Sequence, residues 1–390
     1  MVKSFLFAKT PKIIFGSGVI QELSPLIKKY GNNVLLVTGA SSFINSKAGE
    51  YLINTFEMTG ILYHHLIISR EPFPELIDNA VVRYQNISID VVVAIGGGSV
   101  IDAGKAVAAM LYKDESVTEY LEGIGKLIHP GTTLPFIAVP TTAGTGSETT
   151  KNAVISNVGT EGYKRSLRHD NFIPEIALVD PELTLNCSPD LTAATGMDCF
   201  TQLVESYLST KATSLTDSLA LEGIKALIGS LETAWRMGQN IEARTSMSYA
   251  AMISGICLAN AGLGAVHGFA SSVGGLFNIP HGTLCGTLMA PANNITVKKL
   301  RETGSNIIAL KKYSTLGRLI STIPSENDDF YIDYFISRLS ELSDNLNIER
   351  LSKFGIKEKD ISLIVEKTDI KTHPIKLSDD DLKEILYNRL

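Results

Sequence analysis

The apolar positions in the first 180 residues form short, dense runs that alternate with stretches of helical spacing. Uninterrupted runs are typical of strands buried on both faces, whereas apolar residues three and four positions apart indicate amphipathic helices. We predict strands at residues 12–15, 33–38, 61–68, 91–95, 136–139 and 176–179, and helices at residues 19–30, 51–59, 74–85 and from residue 100. This alternation predicts a mostly parallel sheet with helices on both faces.

Long helical patterns replace this alternation after about residue 185. Predicted helices cover residues 191–208, 215–237, 241–258 and 329–344, an apolar, glycine-rich helical block covers residues 261–290, and Ser378 caps the last helix. We therefore predict two domains, an α/β domain over residues 1–185 and an all-helical domain over residues 186–390.

Composition narrows the classes of protein to which the chain can belong. Its 390 residues are 44% apolar and 19% charged, as in ordinary soluble globular proteins. The net charge of −6 argues against a nucleic-acid partner. We find no signal peptide and no run of about 18 apolar residues that would span a membrane, so we expect a cytoplasmic protein. Four cysteines fit neither a disulfide framework nor a four-cysteine zinc site: Cys187, Cys199, Cys257 and Cys285.

A phosphate cradle is the first candidate for function. A buried strand leads into residues 96–99 (Gly-Gly-Gly-Ser), and the spacing that follows predicts a helix with Ser99 as its N-cap. Glycine backbone can approach an anion closely, and the helix N-terminus adds partial positive charge. Taken alone, the motif leaves an ordinary strand-to-helix turn equally open.

Three further blocks carry polar groups that chemistry can use. Residues 140–150 place hydroxyls and glycines directly after a strand, which suits binding of phosphate, ribose or an amide, although a plain polar loop is the alternative. His267 and His281 lie in apolar sequence, where a single histidine is more often a core residue. With an aspartate in the same helical domain they are compatible with a divalent-metal site. One face of a predicted helix gathers polar residues: Asp198, Gln202 and Glu205.

Together these blocks resemble the iron-containing (group III) alcohol dehydrogenase family. The resemblance spans nearly the whole chain and rests on Gly-Gly-Gly-Ser-Val-Ile-Asp-Ala-Gly-Lys at residues 96–105, Pro-Thr-Thr-Ala-Gly-Thr-Gly-Ser-Glu at residues 140–148, Gly-Met-Asp at residues 196–198 and Ile-Pro-His-Gly at residues 279–282. It implies a dehydroquinate synthase-like fold, with a dinucleotide-binding α/β domain, an all-helical domain and a cleft between them. It also implies hydride transfer between NAD(P)(H) and a small alcohol or aldehyde.

The same resemblance implies which residues contact the cofactor. The glycine turn would hold the pyrophosphate, the threonines after the next strand would line the cofactor, Lys164 corresponds to a lysine at the ribose, and Leu183 to a residue beside the nucleoside. The full predicted set is Gly39, Ser41, Ser42, Gly96, Gly97, Gly98, Ser99, Asp102, Thr141, Thr142, Thr145, Lys164 and Leu183.

The family's metal ligands carry over only in part. The family binds its ion with one aspartate and three histidines, and Asp198, His267 and His281 match three of these positions. The fourth holds Gln202, whose carbonyl oxygen can replace the missing ligand or leave room for water. We therefore predict an iron or zinc ion on these four residues. Ser271 stands where the family often has a histidine facing the substrate, and it is our candidate for proton transfer.

These departures leave two alternatives open. One is a metal-independent reductase of the same fold, and the other is a cofactor-binding protein without redox activity. In the reading that we adopt, the chain is a homo-oligomeric enzyme that acts on a small alcohol or aldehyde.

Two local features bear on the choice of cofactor and substrate. Many family members have an aspartate where this chain has Gly39, followed here by two serines, so we predict that NADP(H) is accepted and preferred, with NAD(H) still usable. Residues 163–169 carry four potentially basic side chains on a predicted loop. Most such runs are simply solvated, but the hypothesis that Arg168 or His169 reaches the cleft predicts a preference for an anionic aldehyde.

Overall fold

The computed structural model describes residues 4–370 and 372–390. The strands in these residues are β1 (Lys12–Phe15), β2 (Asn33–Gly39), β3 (Leu62–Ile68), β4 (Val91–Gly96), β5 (Phe136–Pro140), β6 (Asn152–Asn157), β7 (Tyr163–Arg168) and β8 (Ile176–Val179). Six of them form one sheet in the order β1-β8-β5-β4-β2-β3, with every pair parallel. The predicted parallel sheet is confirmed.

The amino-acid composition of β4 explains why this strand lies inside the sheet. β4 is buried at every position, as its run of valine, alanine and isoleucine requires. The α-helices of this half are α1 (Leu23–Ile27), α2 (Lys47–Thr59), α3 (Pro74–Tyr84) and α4 (Gly98–Met110). Because the strands are parallel, β2, β4 and β5 all end at one edge, with Gly96 opposite Pro140. In open sheets of this kind ligands bind at the carboxyl edge.

The sequence predicts one continuous helix over residues 19–30, and this prediction is wrong. The structure has a 3₁₀ turn at Val19–Glu22 and then the short helix α1. Pro25 explains the break, because proline has no backbone N–H and a continuous α-helix would leave the Gln21 carbonyl without its donor.

Strands β6 and β7 form a separate antiparallel hairpin, with Asn152 opposite Arg168. The sequence predicts a loop at residues 163–169, and this prediction is wrong. The hairpin buries Ala153 and Leu167 in the same core cluster as the apolar residues of α4. Ile155, Ser156 and Lys164 are also buried, but the other positions are partly or fully exposed. The mixture of polar and charged residues hid the strand pattern.

The described part of the chain after residue 188 forms α-helices and short 3₁₀ turns. Its α-helices are α5 (Pro189–Leu208), α6 (Ser214–Ile228), α7 (Leu231–Arg236), α8 (Ile241–Ala261), α9 (Ala265–Leu276), α10 (His281–Thr303), α11 (Ile307–Ile320), α12 (Asp328–Asn345), α13 (Ile361–Glu366) and α14 (Asp379–Tyr387). The predicted helical class is confirmed, and Ser378 caps α14 in a capping box with Asp381. The boundary predicted at residue 185 falls between β8 and α5 and stays a prediction.

Two predicted helical blocks are divided in the structure. Residues 215–237 form α6 and α7, because the chain turns at Gly229, a poor helix former. Residues 261–290 contain the end of α8, all of α9 and the start of α10, since Gly262 (φ 71°) closes α8 and Pro280 precedes α10. Among the described residues no single helix is long and apolar enough to cross a membrane, although α8 and α9 together reach that length and composition across a 95° bend.

One cluster of buried apolar residues contains side chains from both halves of the molecule. Ala177 and Val179 of β8 belong to the same buried cluster as Met197 and Leu203 of α5. The helical half is therefore seated against the sheet, next to the edge where the strands end. This packing sets the position of the helices relative to the glycine turn.

A buried lysine joins α4 to the loop after β5. Lys105 is 1% exposed, and its ammonium donates hydrogen bonds to the carbonyl oxygens of Ser147, Thr150 and Asn152, each at 2.9 Å. Burial lowers the pKa of Lys105 to about 8, so the group still carries its charge at neutral pH. These bonds hold residues 141–150 against the helix that begins at the glycine turn.

We expect Lys105→Met to lower the free energy of unfolding by about 3 kcal/mol, because methionine fills the space but leaves buried carbonyls without donors. Urea unfolding followed by circular dichroism measures the change. Lys126→Met, at an exposed position, is the matched control and should cost about 0.5 kcal/mol or less. Equal losses in the two variants would contradict the role given to Lys105.

Candidate active site

A cleft of about 230 Å³ lies between the sheet half and the helical half. Its walls come from α4, the loop after β5, the hairpin, and the helices α5, α8, α9 and α10. Many residues singled out in the sequence line it: Gly98, Ser99, Asp102, Thr145, Lys164, Gln202, His267, Ser271 and His281. The fold thus brings predicted cofactor and metal residues from both halves to one place.

The glycine turn forms the expected cradle, but with a different cap. Gly97, not Ser99, is the N-cap of α4, and its carbonyl accepts from the N–H groups of Val100 and Ile101 at 3.0 and 3.1 Å. The prediction of Ser99 as the cap is wrong because the extended backbone of Gly97 lets the helix begin two residues earlier. No side chain among the described residues caps this end, so its first N–H groups can bind an anion.

The threonine loop packs directly on this cradle. A Cβ at Gly98 would lie 2.7 Å from the side chain of Thr145, and one at Gly97 would lie 3.4 Å from that of Thr142. Glycine is therefore required at residue 98 for the loop to approach. The Thr141 N–H donates to the Gly96 carbonyl at 2.9 Å and continues the sheet contact into the loop. The cradle and the loop form one surface.

The predicted contacts to the adenosine end lie further along the same sheet edge. Gly39 ends β2 next to the end of β4, and Ser41 and Ser42 are exposed beyond it. Leu183 lies in the turn Pro181–Thr184 after β8 and packs on the core under the sheet. These four residues do not line the cleft, and neither do the predicted contacts Gly96, Gly97, Thr141 and Thr142.

Four side chains form a compact group at the helical side of the cleft, which we call the cleft cluster: Asp198, His267, His281 and Cys285. One potential ligand atom of each lies within 4.8 Å of all the others. Asp198 Oδ1 is 3.4 Å from His267 Nε2 and 3.5 Å from His281 Nε2. Cys285 Sγ is 3.7 and 3.8 Å from the same two nitrogens. Carboxylate, imidazole and thiol groups so arranged could hold one divalent ion.

Glu205 orients one of these histidines. Its carboxylate accepts hydrogen bonds from His267 Nδ1 and from the Val266 N–H, both at 2.7 Å. With the proton on Nδ1, the Nε2 atom of His267 presents its lone pair to the cluster. Carboxylates commonly stand in this way behind histidines that bind metal ions.

The protonation states of Asp198 and His281 suit cation binding, whereas His267 must first lose a proton. Burial would raise the pKa of Asp198, but His281 and His267 outweigh it and lower that pKa to about 2. Burial lowers the pKa of His281 to about 4 and raises that of Cys285 to about 12. Burial would also lower the pKa of His267, but Cys285, Asp198 and Glu205 outweigh it and raise that pKa well above its usual value. At neutral pH and without an ion, Asp198 is therefore charged, His281 is neutral and His267 is protonated, so metal binding has to release the proton from His267 Nε2.

Gln202 and Ser271 make local contacts instead of pointing at the cluster's centre. The Gln202 side-chain amide donates to Asp198 Oδ2 at 3.3 Å, and its carbonyl oxygen accepts from the Ser254 hydroxyl at 3.4 Å. Ser271 donates to the His267 carbonyl at 3.3 Å while lining the cleft. The ligand role predicted for Gln202 and the proton-transfer role predicted for Ser271 both stay predictions.

Sequence reasoning missed two residues of this site. Cys285 follows His281 by four positions on α10, a spacing that puts both on one helix face and could have revealed it. Glu71 lies in the loop after β3, where no pattern marks it, and its carboxylate bonds to Lys164 Nζ at 2.7 Å. The predicted ribose lysine is therefore already paired with an acid.

Only some of the basic residues in the stretch 163–169 line the cleft. Arg168 lines it and pairs with Glu122 at 3.2 Å. His169 does not line it, since its ring accepts from the Asn171 N–H at 3.1 Å and packs on Phe172. The adjoining outer cleft, of about 630 Å³, has several basic lining residues: Lys151, Lys164, Arg165, Arg168, Lys211 and Lys367.

Residues 10–181 match the family model of the iron-containing alcohol dehydrogenases, and residues 192–390 match the model of the C-terminal part of that family. The chain belongs to the iron-containing alcohol dehydrogenase family. It is therefore an oxidoreductase of alcohols and aldehydes.

Relatives of this dehydrogenase match it over most of their length. It is 29% identical to the NAD-dependent methanol dehydrogenase of Bacillus methanolicus, over 97% of this chain and 98% of that one. Alcohol dehydrogenase 4 of Saccharomyces cerevisiae is 31% identical, over 91% and 90% of the two chains. The crystal structure of an archaeal halo-thermophilic alcohol dehydrogenase from a Red Sea brine pool superposes with a TM-score of 0.90, at 26% identity and with both chains fully covered.

We expect Glu205→Gln to weaken zinc binding by about 10- to 100-fold, because an amide no longer holds the proton on His267 Nδ1 as firmly. Competition with a chromophoric chelator measures the affinity. Glu222→Gln, an exposed change on α6, is the control and should leave it unchanged. The same affinity in both variants would rule out the orienting role of Glu205.

Proposed function

We propose that this chain transfers a hydride between a nicotinamide cofactor and a small alcohol or aldehyde, with a divalent ion bound by Asp198, His267 and His281. The main support for the proposal is that the phosphate cradle and the possible metal site lie in one cleft. His267 and His281 line the same space as Gly98 at the start of α4, where the phosphate cradle lies. A cofactor bound at the cradle can thus reach a substrate held beside the histidines.

The residues present fit a divalent cation. Asp198 Oδ1 is buried and has no hydrogen-bond partner in the described part of the chain, although two ring nitrogens lie 3.4 and 3.5 Å away. A cation between these atoms would satisfy the carboxylate and both imidazoles at once. This fit favours a metal-dependent enzyme over the metal-independent reductase.

When bound, the nicotinamide gives or accepts the hydride at its C4 atom, and the divalent ion acts as a Lewis acid toward the substrate oxygen. The chain's own residues prepare this step. The first N–H groups of α4 bind the cofactor pyrophosphate, and Thr145 and Lys164 line its path. Leu258 and Ala270 give the cleft apolar walls that limit water. The Ser271 hydroxyl, which lines the cleft, is our candidate for proton transfer.

NADP(H) is the preferred cofactor in this proposal, with NAD(H) also used. No carboxylate at residue 39 repels a 2′-phosphate, and the exposed hydroxyls of Ser41 and Ser42 can bind it. A relative named for NAD dependence indicates that NAD use occurs in the family.

The charge of the outer cleft supports an anionic substrate. Its lining holds six basic residues and the two acids Glu122 and Asp369. Three of the six are paired with acids, Lys151 with Asp170, Lys164 with Glu71 and Arg168 with Glu122. The remaining excess of positive charge is modest and favours a carboxylate, sulfonate or phosphonate. Lys164 and Arg168 both line the two parts of the cleft, but Lys164 is paired with Glu71, and a guanidinium can pair with such a group by two hydrogen bonds. Arg168 is therefore our candidate for binding it. The homo-oligomeric state stays a prediction.

The proposal is tested by following NAD(P)H oxidation with a panel of short neutral and anionic aldehydes, before and after chelation and with zinc or ferrous iron restored. We expect activity to follow the metal and kcat/KM to be higher for the anionic aldehydes. His267→Ala should lower kcat/KM by about 1000-fold, since it removes several kcal/mol of charge stabilisation. His64→Ala, a change on β3 outside the cleft, should leave kcat/KM unchanged. Full turnover by demonstrably metal-free protein would refute the metal's role.

Gly39→Asp tests the choice of cofactor. A Cβ at residue 39 would meet only ordinary contacts, 3.9 Å from Ser42 Oγ and 4.0 Å from a Val100 methyl, so the variant should fold. We expect NADPH binding to weaken more than NADH binding, because the new carboxylate repels the 2′-phosphate. Fluorescence titration with each dinucleotide measures this. A wild-type enzyme about tenfold more efficient with NADH, or roughly 1.4 kcal/mol, would contradict the proposed preference.

A further inference from the structure

We propose that Cys285 binds the divalent ion as a thiolate, in the place that Gln202 does not take, and that the resulting Asp-His-His-Cys site selects zinc over iron. This inference rests on the metal-dependent function proposed above. On binding, the Sγ–H bond is replaced by an Sγ–zinc bond, and the proton is released to solvent.

Four of the six distances between ligand atoms of the cleft cluster are close to the edges of a tetrahedral zinc site. Bond lengths of about 2.0 Å to nitrogen or oxygen and about 2.3 Å to sulfur give edges of about 3.3 Å between two nitrogen or oxygen atoms and about 3.5 Å to sulfur. The two edges from Asp198 Oδ1 to the ring nitrogens are 3.4 and 3.5 Å. The two edges from Cys285 Sγ to the same nitrogens are longer, 3.7 and 3.8 Å, as sulfur requires.

The contacts of Gln202 assign it a supporting role. Its amide nitrogen, which cannot bind a cation, faces Asp198 Oδ2, and its carbonyl oxygen accepts from Ser254 on α8. The amide thus holds one oxygen of Asp198 and leaves the other, Oδ1, facing the cluster. Compared with the family pattern, the fourth ligand has moved from α5 to α10.

Helix geometry and burial explain how Cys285 can act as a metal ligand. His281 and Cys285 are four residues apart in the first turns of α10, so both side chains project to one side. Cys285 is fully buried, whereas the side chain of His281 is 25% exposed toward the cleft. With all four residues of the cleft cluster bound, the thiolate would close the site from the buried side, and the substrate oxygen would enter as a fifth ligand from the side where His281 is exposed.

The change of ligand has a consequence for metal choice. Thiolate is a soft ligand that favours zinc, whereas ferrous iron has less preference for sulfur in a mononuclear site of this kind. A site with one sulfur should therefore hold zinc more tightly than a site of imidazole and carboxylate alone. The expected preference is a property of this chain, set by residue 285.

The test uses cobalt, whose bond to a thiolate gives a charge-transfer band in the near ultraviolet. Chelator-stripped full-length protein is titrated with Co²⁺, and we expect the band in the wild type and in Gln202→Ala but not in Cys285→Ser or Cys285→Ala. Cys257→Ser is the matched control, because Cys257 is also fully buried in the helical half but lies outside the cluster. Circular dichroism confirms that each variant folds.

Metal affinity is the second readout. By chelator competition, Cys285→Ser should weaken zinc binding at least about tenfold, since even partners behind metal ligands contribute that much, and weaken Fe²⁺ binding less. X-ray absorption of the zinc-loaded wild type should show one sulfur at about 2.3 Å, which needs no variant. Only nitrogen and oxygen around zinc, an unchanged cobalt band in Cys285→Ser, or no metal binding by the wild type would each overturn the inference.

These outcomes separate the inference from the proposed function. A protein that shows the sulfur ligand but turns over no aldehyde keeps the inference and refutes the function. A metal-dependent dehydrogenase without the sulfur ligand keeps the function and refutes the inference.

Discussion

The site depends on a carboxylate that is buried where a charge is costly. Asp198 is 1% exposed, and one of its oxygens has no hydrogen-bond partner among the described residues. A buried charge is tolerated only when it is paired or binds a metal. Two histidines and a cysteine surround that oxygen, and Glu205 supports one histidine from behind. A cation bound at this position would balance the buried charge of Asp198.

Buried cationic groups elsewhere serve to join segments. Lys105 ties the loop after β5 to the helix of the phosphate cradle, and Lys164 of the hairpin pairs with Glu71. Both links place polar backbone and side chains at the carboxyl edge of the parallel sheet. The helical half adds the cleft cluster from the other side, so the cleft acquires a phosphate site and a cation site from independent parts of the fold.

The sequence was most informative where one local pattern decides the outcome. The apolar run of β4 and the glycines after it led to the sheet and the cradle. The resemblance to the family, and not a local pattern, assigned Asp198, His267 and His281 to the metal site. The sequence misled where several structures share a pattern: the strand β7 looked like a charged loop, and Pro25 and Gly229 broke helices that periodicity extended. The spacing of four residues places Cys285 on the same face of α10 as His281, but its approach to Asp198 and His267 depends on α10 meeting α5 and α9, which no local pattern predicts.

The central claim is that a divalent ion sits in the cleft beside the cofactor cradle. Anomalous diffraction at the metal edge, from crystals of the zinc-loaded protein, tests it most directly. We predict one strong peak within about 2.3 Å of Asp198 Oδ1 and of the Nε2 atoms of His267 and His281. A cleft without an anomalous peak, or zinc bound only at other residues, would contradict the account.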